Sequence, residues 1–156
     1  MSIEVSSLSK NYGTQKAVNN ISFTVGSGEI VGFLGPNGAG KSTTMKMITG
    51  YLASDTGSIK VCGLPAGPNN LEAKRKIGYL PEANPLYLDM YVREYLSFIA
   101  GLHNHSDSKI QIKEAIEKVG LQVEAHKKIG QLSKGYKQRV GLAAAILHNP
   151  EVLILD

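Results

Sequence analysis

The chain has 156 residues, of which 42% are hydrophobic and 19% charged, so it is long and apolar enough to bury the core of one globular domain. The net charge of +4 is small and the lysines are scattered, which argues against a nucleic-acid-binding surface. The single cysteine, Cys62, excludes an internal disulfide, and no apolar run approaches the roughly 20 residues that span a bilayer, so no direct membrane insertion is expected.

The chain begins with predicted strands and continues with predicted helices. Apolar and polar residues alternate at the start, a nearly continuous apolar run from 30 to 34 predicts a strand buried on both faces, and helical spacing dominates after residue 90. Asp107 is the expected N-cap of one of these helices. The predicted elements are strands at 3–8, 18–25 and 29–34, a helix at 41–49, a strand at 58–62, a helix at 71–76, a strand at 77–80, helices near 92–102, 108–119 and 133–148, and a buried strand at 152–155.

This order of elements predicts an α/β fold in one domain. Residues 1–82 and 149–156 are expected to form the α/β core, and residues 83–148 an inserted helical subdomain.

The segment from Gly35 to Ser42 matches the pattern G-x-x-x-x-G-K-[ST] in full. Glycines let such a loop wrap closely around a phosphate with its N–H groups turned inward, and the start of the following helix adds a positive dipole. A predicted strand before the loop and a helix after it distinguish it from a simple glycine-rich turn. The residues predicted to bind ATP here are Gly35, Asn37, Gly38, Gly40, Lys41, Ser42 and Thr43.

Three side chains of this loop have distinct expected roles. Lys41 is expected to reach the β- and γ-phosphates and to act in catalysis, Ser42 to place its hydroxyl on Mg²⁺, and Thr43 to donate to the α-phosphate. ATP and Mg²⁺ are therefore the predicted cofactors. The loop alone does not separate a kinase from a GTPase or a motor protein.

A second motif lies at 132–139 and reads Leu-Ser-Lys-Gly-Tyr-Lys-Gln-Arg at the start of a predicted helix. It resembles the leucine-serine-glycine-glycine-glutamine signature of the ATP-binding subunits of ABC transporters, from which it departs at Lys134 and Tyr136. The resemblance implies that Ser133 and Gly135 bind the γ-phosphate of ATP held by a second subunit. The alternative is an ordinary helix with Ser133 as its N-cap.

The resemblance also implies an architecture and a set of partners. The implied fold is a P-loop NTPase core, with a mostly parallel sheet and an antiparallel β subdomain, plus the inserted helical subdomain. Two ATP-binding subunits, identical or paired, would sandwich ATP and couple its hydrolysis to transport through separate integral membrane permease subunits. The implied location is the cytoplasm, peripheral on the inner face of the bacterial cell membrane.

Four further positions resemble functional positions of the family. Tyr12 lies where an aromatic ring stacks on adenine, and Val18 can line the same base; a turn tyrosine and a core valine are the alternatives. Glu82 replaces the usual glutamine of the Q-loop, and a carboxylate can also ligate Mg²⁺, so it is a predicted metal ligand and catalytic residue whose exact role stays open. Asp156 ends a Walker B-like strand and is expected in the metal's shell, facing Ser42.

The sequence stops at Asp156, where the family normally continues with a glutamate that polarises the attacking water and, later, a histidine that contacts the γ-phosphate. The chain is therefore expected to be truncated and to bind ATP but hydrolyse it slowly or not at all, because phosphoryl transfer needs a positioned water.

The subtype that the sequence resembles is a bacterial exporter with separate membrane subunits. The stretch from Asn84 to Met90 is similar to the ATP-binding subunit associated with gliding motility in Bacteroidetes. Leu86, Tyr87, Leu88 and Met90 either receive a permease helix or pack inside the helical subdomain. A soluble ABC ATPase of translation or DNA metabolism, and a nucleotide-binding module without ATPase activity, are the alternative functions.

Overall fold

The computed structural model describes residues 1–103 and 108–156 and forms two compact units, residues 1–77 and residues 78–156. Asp107, the expected N-cap, lies outside the described residues. The helices of the described ranges include none that is both long enough and apolar enough to cross a membrane. The finer division into a core of residues 1–82 and 149–156 and a helical subdomain of residues 83–148 stays a prediction.

The first unit is built on an antiparallel sheet of four strands, which lie side by side in the order second, first, third and fourth along the chain. Alternation of apolar and polar residues places Ile3 and Val5 on the buried face of the first strand. Leu8 is also buried, because the register shifts between Val5 and Leu8, where Ser7 has a φ of 49°. The predicted strands at 3–8, 18–25 and 58–62 are confirmed, the first two in longer form. The strands are β1 (Ile3–Tyr12), β2 (Gln15–Val25), β3 (Thr56–Val61) and β4 (Leu64–Pro65).

Two helices complete the first unit: α1 (Lys41–Ile48) and α2 (Leu71–Arg75). Helix α1 buries Met47 and Ile48, and Gly50 follows its end with a φ of 68°, in the left-handed conformation that glycine adopts readily after a helix. Both helices lie where helical spacing predicts them.

The predicted strand at 29–34 is wrong. In the part of the chain that the structure describes, this segment pairs with no strand, and Ile30 and Leu34 are fully exposed. Only Phe33 is partly buried, with its ring centroid 5.4 Å from that of Phe23 on β2. A strand forms only where its N–H and C=O groups find a neighbouring backbone, and an apolar run does not reveal whether that neighbour is present.

The second unit packs its helices around one core and carries a two-stranded sheet of β5 and β6. The core is formed by apolar residues at helical spacing, including Leu96, Ile116 and Val140. Each predicted helix and strand of this region is present as the predicted type of element, with small differences in some of the bounds. The elements are β5 (Ile77–Leu80, starting at the last residue of the first unit), α3 (Val92–Leu102), α4 (Ser108–Lys118), a 3₁₀ turn (Ile129–Gln131), α5 (Lys134–Ile146) and β6 (Val152–Leu155).

Strand β6 was expected to be buried on both faces, and this is wrong. Val152 and Ile154 are buried, whereas Leu153 and Leu155 are 45% and 54% exposed. Within the described residues β6 pairs with β5 alone. Because successive side chains of a strand point to opposite faces, covering one face buries only every second residue.

Candidate functional site

The loop before α1 has a backbone that requires glycine at two positions. Gly38 and Gly40 have φ values of 82° and 84°, in the left-handed region that favours glycine. At Gly40 a Cβ atom would also overlap the carbonyl oxygen of Ala17 and lie 3.0 Å from Cγ2 of Val18. The loop therefore turns into α1 in close contact with β2, which fixes where the helix begins.

The start of α1 is suited to bind an anion. Its N-cap is Gly40, which offers no side-chain hydrogen bond to the first turn. The first N–H groups of a helix lack partners within the helix, and they carry the positive end of its dipole. Ser42 and Thr43 lie in this first turn, and Asn37 is exposed in the loop before it.

Lys41 spans the loop. Its ammonium donates hydrogen bonds to the carbonyl oxygens of Gly35, at 2.7 Å, and Pro36, at 2.8 Å. The ammonium is thus held beside the first residues of the loop and the start of α1. A phosphate that enters the loop meets this cation and the helix dipole together.

Tyr12 and Val18 lie on the hairpin next to the loop. Tyr12 ends β1 with 51% of its surface exposed, and the Lys10 ammonium lies over its ring at 6.0 Å from the centroid. The carboxylate of Asp55 holds this end of β1: its Oδ1 accepts from Lys10 Nζ and its Oδ2 from the Asn11 N–H, each at 2.7 Å. The Lys10 ammonium, followed by the Asn11 N–H, lowers the pKa of Asp55.

Val18 also lies next to the loop, but its side chain is buried. It is 5% exposed and contributes to the core of the first unit, beside Gly40. Its burial fits the core interpretation, and contact with adenine stays a prediction for both Tyr12 and Val18.

The signature motif lies at the start of α5. Leu132 is buried, whereas Ser133 and Gly135 are exposed, and a Cβ on Gly135 would meet nothing within 4 Å. Ser133 is the N-cap of the helix, and its Oγ accepts from the Tyr136 N–H at 3.4 Å. The cap interpretation is therefore confirmed, and the motif also presents a serine, a glycine and a helix N-terminus to the solvent.

Helix α5 is fixed by two polar side chains that the sequence analysis missed. Nδ2 of Asn84 donates to the carbonyl oxygen of Lys137 at 3.1 Å, and this amide occupies the space left by the missing side chain of Gly141. Nη1 of Arg139 donates to the carbonyl oxygens of Val119, at 3.1 Å, and Gly120, at 3.3 Å. The sequence did contain an indication of the contact made by Asn84, because a glycine inside a predicted helix, here Gly141, can mark a place where another group packs closely.

Asp156 is held by β5. Its N–H donates to the carbonyl oxygen of Leu80 at 2.9 Å, and its Oδ2 accepts from the hydroxyl of Tyr79 at 3.2 Å. Burial, followed by the negative charge of Asp156 and this hydrogen bond, raises the pKa of Tyr79 to about 12. Glu82 lies two residues beyond β5 and is exposed.

The predicted site residues fall into the two units. The phosphate loop, Tyr12 and Val18 belong to the first unit; Glu82, the signature and Asp156 belong to the second. The metal site of Ser42, Glu82 and Asp156 stays a prediction.

The loop geometry and the mixed α and β elements define a P-loop nucleotide-binding protein of the α/β class. The profile of the family described as "ABC transporter" matches residues 18–156, and the chain belongs to this family. A solved structure of the ATP-binding subunit of an ABC transporter superposes with a TM-score of 0.89 at 30% identity, over 100% of this chain and 66% of that one. The predicted fold class is thereby confirmed.

Two curated relatives are similar along the whole chain. An uncharacterized ABC transporter ATP-binding protein, YxlF, of Bacillus subtilis (strain 168) is 46% identical over 99% of this chain and 51% of its own length. The Nod factor export ATP-binding protein I of Rhizobium sp. (strain N33) is 38% identical over 100% of this chain and 52% of its own length. The chain thus spans about half the length of the curated relatives it matches.

The contact between Asn84 and Gly141 gives a stability prediction. Gly141→Ala should lower the free energy of unfolding by about 1–3 kcal/mol, since the overlap with the amide outweighs a gain in helix propensity of about 1 kcal/mol. Adding Asn84→Ala, which removes the amide and leaves only the end of the Leu80 side chain within 3 Å of the new Cβ, should make the same substitution less costly. Urea denaturation of the four proteins of this cycle measures the coupling.

The control for this cycle is Gly101→Ala in α3, because a Cβ there would meet nothing within 4 Å. It should leave stability unchanged or raise it. Additive effects of Gly141→Ala and Asn84→Ala would contradict the contact.

Proposed function

We propose that this chain is the ATP-binding part of an ABC transporter subunit and that it binds ATP through the loop from Gly35 to Thr43. The observation that supports this most directly is the loop's geometry. Two left-handed glycines lead into a helix without a side-chain cap, and the Lys41 ammonium lies across the loop. Backbone N–H groups, a helix dipole and a cation are the groups that bind a polyphosphate.

The second half of the ATP site would come from another subunit. Ser133 and Gly135 are exposed at the N-terminus of α5, where a hydroxyl, an open backbone and a helix dipole can meet a γ-phosphate. We propose that two such subunits, identical or different, enclose ATP between the loop of one and the signature of the other.

The donor set fits Mg²⁺. Ser42 offers a hydroxyl and Glu82 and Asp156 offer carboxylates, and Mg²⁺ prefers oxygen ligands, commonly one or two carboxylates together with substrate phosphates. When bound with ATP, Mg²⁺ would neutralise charge on the β- and γ-phosphates. We propose ATP hydrolysis as the activity of the whole protein, with slow or no turnover by these 156 residues alone.

The partners and location follow from the family. We propose that the whole protein works with separate integral membrane permease subunits at the inner face of the cell membrane and that it drives export. The name of the Rhizobium relative, an export ATP-binding protein, supports export. The gliding-motility subtype stays a prediction that rests on residues 84–90.

The permease is expected to contact an apolar part of the second unit. Leu86 and Met90 pack against its core, whereas Tyr87 and Leu88 are exposed, as is Phe98 on α3. The rings of Tyr87 and Phe98 meet edge to face, with their centroids 5.9 Å apart. We call Tyr87, Leu88 and Phe98 the docking surface and propose that a permease helix covers it.

The ATP site is tested by Lys41→Met. Because charge-assisted hydrogen bonds contribute about 1.5–3 kcal/mol each, ATP affinity should fall roughly tenfold or more, as measured by titration calorimetry. Lys46→Met is the matched control, since Lys46 is an exposed lysine at the other end of α1. Equal losses in both variants, or none in either, would contradict the assignment.

The docking surface is tested by Leu88→Ser combined with Phe98→Ser in the full-length protein. After crosslinking in cells, the variant should retrieve much less of an integral membrane partner, while its ATP affinity stays that of the wild type. Val123→Ser is the control, because Val123 is also exposed but lies outside the docking surface. If the wild type retrieves ribosomes instead of a membrane protein, the translation-associated alternative replaces transport.

A further inference from the structure

We propose that Tyr79 is a positioning residue for Asp156: its hydroxyl holds the carboxylate in the orientation in which it serves the Mg²⁺ of bound ATP. The proposal rests on the proposed function, because it concerns the metal that accompanies the nucleotide. It adds a residue to the site that neither the phosphate loop nor the Walker B pattern contains.

The backbone around Tyr79 is held on two sides. On one side, the Asp156 N–H donates to the carbonyl oxygen of Leu80 at 2.9 Å, which fixes the end of β6 beside β5. On the other side, a Cβ on Gly78 would overlap the carbonyl oxygen of Ala145 and lie 2.8 Å from Cγ of Pro150, so β5 lies directly against the end of α5 and the residues after it. The residues on either side of Tyr79 thus anchor its Cα.

The side chains then meet at a single hydrogen bond. The Tyr79 hydroxyl donates to Oδ2 of Asp156 at 3.2 Å, and both side chains are partly buried. An ionised carboxylate has two oxygens with several acceptor positions between them, so this bond occupies one acceptor position of Oδ2. A bond between a neutral donor and an ionised acceptor is also stronger than one between neutral groups.

The hydroxyl does more than fill space. The torsion that rotates an aspartate carboxylate is broad, so β6 alone does not determine where its oxygens point. A phenol from the neighbouring strand selects one orientation in advance of metal binding, which lowers the entropy lost when the metal shell forms. Phenylalanine would keep the ring and its packing and lose this selection.

The test measures the metal and the nucleotide separately. ATP binding by the wild-type chain and by Tyr79→Phe is titrated with excess EDTA and with increasing Mg²⁺, and Mn²⁺ is substituted so that free metal is counted by electron paramagnetic resonance. Tyr79→Phe should weaken the metal's affinity for the ATP complex roughly threefold to tenfold, which is part of the roughly tenfold to hundredfold effect of one hydrogen bond to a charged group, because the variant loses the orientation of the carboxylate but keeps the carboxylate itself. ATP binding in EDTA should stay within error of the wild type, and the thermal unfolding midpoint should fall by no more than a few degrees.

Two further variants separate positioning from a structural role. Tyr51→Phe removes a hydroxyl from an 80% exposed ring and should change neither titration. Asp156→Ala should weaken the metal at least as much as Tyr79→Phe, and the double variant no more than Asp156→Ala alone, because the hydroxyl acts only through this carboxylate. Metal affinities are compared only among variants that bind ATP in the presence of EDTA, so that a loss of nucleotide binding is not counted as a loss of metal affinity.

Each possible outcome tests either the role of Tyr79 or the proposed binding of ATP. Unchanged metal affinity in Tyr79→Phe overturns the inference and leaves ATP binding standing. Additive losses in the double variant also overturn it, because the hydroxyl would then act independently of Asp156. A wild-type chain that binds no ATP in either condition would instead overturn the proposed function.

Discussion

The left-handed backbone of Gly40, set against the carbonyl oxygen of Ala17, determines where α1 begins and where its first N–H groups point. Any side chain at this position would overlap β2, so the loop, the helix and the hairpin can meet only through glycine. Lys41, the next residue, donates back to the start of the loop. The proposed anion site of the first unit thus depends on one close backbone contact.

In the second unit the N-terminus of α5 is also exposed to the solvent, but packing and side-chain hydrogen bonds, rather than one close backbone contact, hold the helix in place. The exposed start of the helix is held by three contacts: Leu132 precedes it in the core, Asn84 donates to the Lys137 carbonyl oxygen, and Arg139 joins it to the residues after α4. These contacts fix the helix while leaving Ser133 and Gly135 open to the solvent. A helix N-terminus that is held in place by such contacts and exposed to the solvent is suited to bind an anion.

Sequence patterns predicted the elements whose conformation depends on interactions between neighbouring residues. The phosphate loop and α5 follow from glycine conformation, capping and helical spacing, which residues near each other in sequence determine. The burial of 29–34 and of β6 was predicted wrongly, since it depends on which strands lie alongside. The bond from Tyr79 to Asp156 joins residues far apart in sequence, and no periodicity reveals such a contact.

The proposed function depends above all on the binding of ATP phosphates by the loop from Gly35 to Thr43. Amide hydrogen exchange of the chain with and without MgATP tests it most directly, because it reports where the backbone is engaged. We expect slower exchange on adding MgATP, concentrated in the loop and the first turn of α1, and little change in α3 of the second unit. Unchanged exchange in the loop at a nucleotide concentration that saturates binding would contradict it.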